Sequence, residues 1–266
     1  MNKLQKFAEM ATMPNVIQCP RPTIEAGAFP YKGRWSDSHF GERRPIVLEL
    51  GCGKGEYTVR LAQNEPERSF IGIDIKGARM YTGARLALDE NIDNVAFLRT
   101  ECELLGHFFD EGEIDEIWIT FPDPQMKKVN KRLTSARFLD TYRRLLRPGG
   151  IINLKTDSPF LFEFTRRIID VNGLVKLTDT PDLYADMPAG TEDARRIQTA
   201  YECQWLSRGK TIKYLRFAFP ADADLSTPPA PLVNPREDDI DKDDYRAYPR
   251  GNEVANPLIN KNGLKS

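Results

Sequence analysis

The chain has 266 residues, with 38 lysines and arginines, 39 aspartates and glutamates, and a formal net charge of −1. A hydrophobic fraction of 40% and an aromatic fraction of 10% are typical of a globular protein and exclude a fibrous or wholly disordered one. No apolar run approaches the roughly 18 residues of a membrane-spanning helix, and the first residues lack the apolar region of a secretory signal, so we expect no membrane association.

Residues 1–45 carry several prolines, which predicts a short helix followed by an irregular arm. Residues 46–220 alternate short runs of Ile, Val, Leu and Phe with segments of helical period, which predicts one α/β domain with a parallel sheet and right-handed crossovers. The predicted strands are 46–50, 69–75, 95–100, 115–121, 151–156 and 211–219. Residues 221–266 are rich in proline and acids, which predicts a disordered or loosely packed tail.

Two helices have clear signals between the last strands of the domain. Apolar residues from Phe138 to Leu146 form one stripe that ends before Pro148-Gly149-Gly150. The same period returns after Ser158, which is a predicted N-cap, and a third helix-like stretch covers residues 191–207.

A glycine-rich turn, Gly51-Cys52-Gly53-Lys54-Gly55, follows the first predicted strand of the domain. Glycines there allow positive φ values and close approach of a ligand, and ligands of open α/β sheets bind beyond the carboxyl ends of the strands. A dinucleotide-binding turn needs its third glycine at position 56, where this chain has Glu56. Glu49 and Glu56 would repel a pyrophosphate, so the turn favours a ligand that carries an ammonium group.

Two more acids follow the next predicted strands. Asp74 ends the second strand, about 20 residues after the turn, where it can accept hydrogen bonds from ribose hydroxyls. Glu101 ends the third strand, close to where an adenine would lie. This pattern favours S-adenosylmethionine, a nucleoside that bears an amino acid and no phosphate, although Asp74 could instead cap the next helix.

The fourth predicted strand runs into Phe121-Pro122-Asp123-Pro124, whose prolines stiffen the loop that holds Asp123 at the mouth of the site. Eight lysines and arginines follow between residues 127 and 147 against a single aspartate, which indicates a surface for RNA phosphates or, alternatively, a solvated helix face. The fifth strand ends at Asp157, and Thr199 and Glu202 precede the last strand.

Cysteine and histidine usage narrows the possible chemistry. The four cysteines are scattered without a C-x-x-C pair, which argues against a zinc site or a disulfide framework and favours a reducing cytoplasm. The only histidines are His39 and His107, and we expect neither to be catalytic. The sequence therefore predicts a reaction without a metal.

With these motifs, the chain resembles the tRNA (guanine-N7)-methyltransferases, which have the class I S-adenosylmethionine-dependent methyltransferase fold. The matching stretches are LELGCGKG (48–55), FIGIDI (70–75), FPDPQMKK (121–128), KRLT (131–134), RPGG (147–150), LKTD (154–157) and TAYE (199–202). The resemblance implies a doubly wound, mostly parallel, seven-stranded Rossmann-like sheet. In one place the chain departs from the family pattern, because Gln125 and Met126 replace a Trp-Pro pair.

The resemblance also implies a role for each matching polar residue. With the glycine turn, the residues implied to bind S-adenosylmethionine are Glu49, Gly51, Gly53, Asp74, Glu101 and Asp123. The residues implied to contact tRNA are Lys127, Asp157, Thr199 and Glu202. Asp123 stands between the two groups and is the first candidate for a catalytic residue.

The implied reaction is transfer of a methyl group from S-adenosylmethionine to N7 of a guanine in tRNA by in-line displacement. Guanine N7 carries no proton, so this reaction needs no general base, which agrees with the shortage of histidine. The alternatives are methylation of another RNA base or amine and a non-catalytic RNA-binding subunit of the same fold, while Glu56 disfavours a nicotinamide-dependent dehydrogenase. We expect a cytoplasmic enzyme that acts as a monomer or homodimer.

Overall fold

The computed structural model describes residues 2–221 and 228–232. Its helices are α1 (Lys3–Met10), α2 (Arg21–Glu25), α3 (Glu56–Asn64), α4 (Gly77–Asp89), α5 (Leu105–Phe108), α6 (Ala136–Leu145), α7 (Pro159–Val171), α8 (Leu183–Asp186), α9 (Glu192–Arg196) and α10 (Ala200–Leu206). Its strands are β1 (Val16–Ile17), β2 (Ile46–Leu50), β3 (Ser69–Ile73), β4 (Val95–Leu98), β5 (Ile114–Thr120), β6 (Leu146–Thr156), β7 (Val175–Thr180) and β8 (Lys213–Ala218).

The strands of the described residues form one sheet in the order β1-β4-β3-β2-β5-β6-β8-β7. Strands β1 to β6 pair in parallel, and only β8 runs antiparallel, to β6 on one side and β7 on the other. The predicted doubly wound, mostly parallel α/β architecture is therefore confirmed. The sheet has eight strands rather than seven because β1, from the N-terminal arm, pairs with β4; a two-residue strand carries no periodic signal in the sequence.

Helices cover both faces of the sheet, which explains why β2, β3 and β4 are buried along their whole length. Successive strand residues point to opposite faces, so the two neighbours Val47 and Leu48 belong to different parts of the core. Val47 packs in the cluster that includes Leu61 of α3, whereas Leu48 packs in the cluster that includes Leu139 of α6 and Leu161 of α7.

All six predicted strands are present, and the first, 46–50, agrees in full. The other five have shifted ends relative to the predicted ranges 69–75, 95–100, 115–121, 151–156 and 211–219. Strand β7 was missed because it is an edge strand whose first three residues are exposed and whose pattern is polar. Helix α7 begins at the predicted cap, since the Ser158 hydroxyl accepts from the Leu161 amide at 3.2 Å. The helix-like stretch 191–207 is two helices, α9 and α10, broken at residues 197–199.

The segments that flank the domain contact its core. Trp35 of the N-terminal arm is fully buried, stacks on Phe109 and donates from its indole nitrogen to the Phe108 carbonyl at 2.9 Å. In the predicted tail, Ala230 exchanges two hydrogen bonds with the side chain of Asn172. The rest of that predicted tail, residues 222–227 and 233–266, lies outside the described residues.

Candidate functional site

The ends of five parallel strands meet at one edge of the sheet. Leu50 is in register with Ile73 and Ile119, and Ile73 in turn with Leu98, while Thr120 pairs with Lys155. The residues that directly follow these strand ends therefore lie along one carboxyl edge. They include the predicted site residues Gly51, Gly53, Asp74, Glu101, Asp123 and Asp157.

The glycine turn after β2 leaves room for a ligand to approach its backbone from outside the protein. Gly51 and Gly53 have φ values of 75° and 57°, in the left-handed region that favours glycine. A Cβ atom built on either residue would meet open space or, at most, one backbone oxygen 4.0 Å away. Gly55 differs, because a Cβ there would lie 2.5 Å from the ring of Phe97. Gly51 and Gly53 thus face an open cradle, and Gly55 is required for packing.

Asp74 connects the glycine turn to the next helix. Its carboxylate accepts from the Gly53 amide at 2.9 Å and from the Lys76 amide at 2.7 Å, one bond on each oxygen. Each oxygen retains a second lone pair that can accept from a ligand hydroxyl. Glu101, at the end of β4, has an exposed side chain.

Glu49 is the only carboxylate of the predicted cofactor group that is buried, with 2% of its surface exposed. One oxygen accepts from the Thr120 hydroxyl at 2.5 Å and the other from the Thr58 hydroxyl. Burial raises the pKa of Glu49 from 4.5 to about 7, because desolvation outweighs the hydrogen bonds that favour its charged form.

These residues fit the predicted ligand. The open turn at Gly51 and Gly53 lets a ligand lie directly against the backbone. A nucleoside with an amino-acid arm needs such close contact at the end of the first strand. Asp74 and Glu101 have carboxylate oxygens that can accept hydrogen bonds from the hydroxyls or the amine of a nucleoside, and Glu49 is an acid whose charged form a cation would favour. The described residues thus have the donor and acceptor chemistry for S-adenosylmethionine.

The loop that carries Asp123 has an unusual backbone. Phe121 and Gln125 flank it with φ values of 46° and 47°, in the left-handed region that non-glycine residues rarely adopt and that clusters at functional sites. The Asp123 side chain is exposed, and one oxygen accepts from the Gln125 amide at 2.9 Å. The second carboxylate oxygen is thus available at the mouth of the site.

Arg132 stabilises this loop from inside the protein. It is almost fully buried, and its guanidinium donates to the carbonyls of Pro124 at 3.2 Å and Met126 at 2.9 Å. The same guanidinium lies 4.6 Å from the ring centroid of Phe160 and 4.4 Å from that of Phe164. Burial lowers the pKa of Arg132 to about 10, still well above neutral pH, so the group stays charged.

The basic stretch 127–147 is not a single phosphate surface, and this corrects the sequence-based interpretation. Arg132 is buried, and Lys131, Arg143 and Arg147 form ion pairs with acids. Strand β6 begins at Leu146, which pairs with the first residue of β5, so the C-terminal part of the stretch lies at the amino edge, opposite the site. Lys127 and Lys128 are exposed in the loop that follows Asp123, and Arg137 is exposed in the first turn of α6.

The predicted substrate residues of the last helices are brought to the same edge. Thr199 is the N-cap of α10, and its hydroxyl accepts from the Glu202 amide at 3.2 Å. Tyr201 packs edge-on against Phe121, with ring centroids 5.4 Å apart, and its hydroxyl hydrogen-bonds Asp157. The Glu56 carboxylate accepts from the Ala200 amide at 3.2 Å, which connects α10 to the helix after the glycine turn.

Glu202 is fully buried rather than presented at the surface. Its Oε2 lies 2.7 Å from Nζ of Lys155 and its Oε1 accepts from the Tyr184 hydroxyl at 2.6 Å. Burial raises the pKa of Glu202, and the opposing charge of Lys155 partly offsets that effect. Contact of this carboxylate with tRNA stays a prediction, and it requires one of these bonds to open.

Comparison with known proteins matches this chain to a family described as "putative methyltransferase" over residues 43–215. A tRNA (guanine-N(7)-)-methyltransferase of Porphyromonas gingivalis is 51% identical over 243 residues, which cover 91% of this chain and 96% of the relative. One of Bacteroides fragilis is 48% identical over 250 residues, covering 94% and 95%.

The chain belongs to the tRNA (guanine-N7)-methyltransferase family. This confirms the family that the sequence motifs predicted. Solved structures support the fold of this methyltransferase: the 16S rRNA methyltransferase KamB matches with a TM-score of 0.53 at 14% identity, over 77% of this chain and 95% of that one. A 30S ribosomal A1408 methyltransferase from an uncultured bacterium matches with a TM-score of 0.50 at 19% identity, over 68% and 90%.

Three features of this methyltransferase site were not recognised in the sequence. The hydroxyls of Thr58 and Thr120 that hold Glu49 carry no sequence signal, because threonine is common in both helices and strands. Arg132 was counted with the exposed cations of its segment. Lys155 does have a sequence signal, because it directly follows the mostly apolar run Ile151–Leu154 of a central strand, where a lysine has to be buried and paired.

Membrane-spanning helices, metal-binding clusters and disulfides can also be looked for in the described part of this methyltransferase. None of its helices combines the length and the apolar character needed to cross a bilayer. Within the same residues, His, Cys, Asp and Glu side chains form no group of three that could hold a metal ion. All four cysteines are free thiols.

Proposed function

We propose that this protein transfers the methyl group of S-adenosylmethionine to N7 of a guanine in tRNA. One observation carries the proposal: a buried Glu49 beside an open glycine turn shares a sheet edge with the strained Asp123 loop. The chain that builds this edge is 48–51% identical to tRNA (guanine-N(7)-)-methyltransferases over nearly its whole length. We assign the activity to the domain of residues 46–220.

Holding the two reactants in line is the main task of the residues around the cradle. When bound, S-adenosylmethionine supplies an electrophilic methyl group on a sulfonium centre. Guanine N7 offers an in-plane lone pair without a proton, so no side chain has to remove one. Well-oriented reactants can gain roughly 7–11 kcal/mol from positioning alone. In this proposal Glu49, Asp74 and Glu101 hold the donor.

Asp123 is the proposed catalytic residue. Positive charge develops on the guanine ring as N7 is alkylated, and a fixed carboxylate beside the ring favours that charge. The hydrogen bond from the Gln125 amide fixes one oxygen of Asp123, and the two prolines beside it restrict the loop. Asp123 therefore needs no reorganisation when the charge forms.

In this proposal, the residues on the far side of Asp123 from the glycine turn recognise the guanine and the tRNA backbone. Asp157 and Thr199 are the proposed acceptors for the N1–H and the exocyclic amine of guanine, which would select guanine over adenine. Leaving such an acceptor unpaired once the bound base has shielded it from water costs on the order of 1–3 kcal/mol. Lys127 and Lys128 are the proposed phosphate contacts, because they are exposed beside Asp123.

A methyl-transfer assay tests the reaction. The full chain is incubated with labelled S-adenosylmethionine and bulk tRNA, and the tRNA is then analysed for aniline-induced scission at N7-methylated guanines. Asp123→Ala should lower transfer at least a hundred-fold with an unchanged circular dichroism spectrum, whereas the control Glu111→Ala, an exposed acid at the opposite edge, should not. Turnover of Asp123→Ala near that of the wild type would remove Asp123 from the mechanism.

Other label patterns would overturn the proposal in distinguishable ways. Label on another base or on an amine would indicate a different class I methyltransferase. RNA binding without label would indicate a non-catalytic RNA-binding subunit.

The salt dependence of tRNA binding tests the phosphate contacts. Removing two phosphate contacts should weaken binding uniformly across tRNAs and lower the slope of log K against log salt by about 2. We therefore expect that result for Lys127→Ala combined with Lys128→Ala, measured by filter binding between 50 and 200 mM salt. Arg144→Ala, an exposed cation that lies toward the amino edge, is the matched control and should leave the slope unchanged. Equal slopes for the double variant and the wild type would refute these contacts.

We further propose a cytoplasmic location, in keeping with a tRNA substrate and four free thiols. Action as a monomer or homodimer, without a metal ion, remains part of the same proposal.

A further inference from the structure

The ammonium group of Lys155 is completely buried on β6, two residues before Asp157. Its Nζ lies 2.9 Å from the Ile197 carbonyl oxygen and 2.7 Å from Oε2 of Glu202, and it donates a third hydrogen bond to the Ala194 carbonyl. An ammonium group has three donor hydrogens. These three acceptors therefore use its whole hydrogen-bonding capacity.

Aromatic rings surround the rest of this ammonium. The ring centroids of Tyr57, Phe121 and Tyr184 lie 5.3, 5.8 and 6.0 Å from Nζ of Lys155. In such a setting two apolar side chains of similar volume often serve folding as well as or better than an ion pair does. Stability alone is therefore a weak reason for a charged pair at this place.

The three acceptors have one property in common: all belong to the segment 194–202, which joins α9 to α10 and contains Thr199. The backbone of Lys155 also contacts the Asp123 loop, because its carbonyl accepts from the Phe121 amide at 2.8 Å. One residue thus connects the start of that loop, the strand that ends at Asp157, and the segment that carries Thr199.

We propose that Lys155 and Glu202 are positioning residues for the guanine. The ion pair holds the segment 194–202 against the end of β6, so that Thr199 and Asp157 face the same space as Asp123. Glu202 then acts on the substrate through Lys155 and the backbone. This inference rests on the proposed function and deepens it.

The test uses full-length variants that separate charge, hydrogen bonding and stability. Lys155→Met leaves the Glu202 carboxylate buried without its cation and should lower the melting temperature. Lys155→Met combined with Glu202→Gln removes both charges at similar volume and should restore the melting temperature. Glu202→Gln alone keeps an acceptor oxygen for Lys155 and is the conservative variant. Arg68→Met combined with Glu116→Gln removes a largely buried ion pair, 2.7 Å long, at the opposite edge and is the control.

For a positioning role, we expect kcat for tRNA methylation to fall at least ten-fold in Lys155→Met and in the charge-free double variant. The dissociation constants for S-adenosylmethionine and tRNA should change less than three-fold, because the cradle and the phosphate contacts are intact. Glu202→Gln should keep kcat within three-fold of the wild type, as should the Arg68 and Glu116 control.

Two results would overturn the inference. In the first, the double variant recovers both its melting temperature and its kcat, which would make the pair purely structural. In the second, affinity for S-adenosylmethionine falls together with kcat, which would place the effect in the cradle. A wild-type protein that makes no N7-methylguanine would instead refute the proposed function, and the assay shows this before any variant is compared.

Discussion

The buried carboxyl of Glu49 makes a quantitative prediction about stability and pH. Its pKa is about 7 in the folded protein and near 4.5 when it is exposed, so the folded state binds more protons between these two values. The free energy of unfolding must therefore fall as pH rises through this window. One pKa unit corresponds to about 1.4 kcal/mol, so the Glu49 carboxyl contributes about 3 kcal/mol to the free energy of unfolding at low pH. About 2.5 kcal/mol of this contribution is lost between pH 5 and pH 8.

Glu49→Gln removes the titration and keeps a polar group for both neighbouring hydroxyls. We expect the unfolding free energy of the wild type to fall about 2.5 kcal/mol more than that of this variant between pH 5 and pH 8. Equilibrium urea unfolding, followed by tryptophan fluorescence at four pH values, measures the difference. All other titrating groups are common to both proteins, so the difference reports Glu49 alone.

Thr58→Val provides a companion variant. The Thr58 hydroxyl favours the charged form of Glu49, so its loss should raise the pKa further and extend the fall to higher pH. If the curves of the wild type and Glu49→Gln run parallel from pH 5 to pH 8, the carboxyl has no raised pKa and the reasoning is refuted.

The remaining predictions concern the two loops of the site. Gly51→Ala should cost about 1–2 kcal/mol of stability through its positive φ and weaken S-adenosylmethionine binding in calorimetry, whereas Gly55→Ala should prevent folding because its Cβ would meet the Phe97 ring. A folded Gly55→Ala protein would contradict the packing described for the turn. Arg132→Met should lose about 3 kcal/mol with its two carbonyl hydrogen bonds, and should lower tRNA methylation while S-adenosylmethionine affinity is maintained. Unchanged stability in urea unfolding would show that Arg132 does not hold the Asp123 loop.

Local patterns in the sequence were sufficient for the architecture and for bringing the glycine turn and the strand-end acids to one edge of the sheet. Apolar runs of strand length, separated by helical periods, have few arrangements other than a parallel sheet with crossovers. In such a sheet the strand ends share an edge, so Gly51 and Asp74 could be placed together from their positions in the chain alone. The exposed edge strand β7 and the two-residue β1 lack that periodicity, which is why they were missed.

The substrate side depended on contacts between residues far apart in the chain. Lys155 and Glu202 are 47 residues apart, and nothing in the local pattern of either indicates the other. The basic stretch 127–147 shows the same limit, because charge per segment does not tell which cations turn inward, as Arg132 does, or which lie at the opposite edge, as Arg147 does. Periodicity is a property of neighbouring residues, whereas desolvation and ion pairing depend on what the fold brings near. For this reason the sequence alone placed the glycine turn and the strand-end acids at one edge of the sheet, and only the tertiary structure decided which charged groups there are buried and which are exposed.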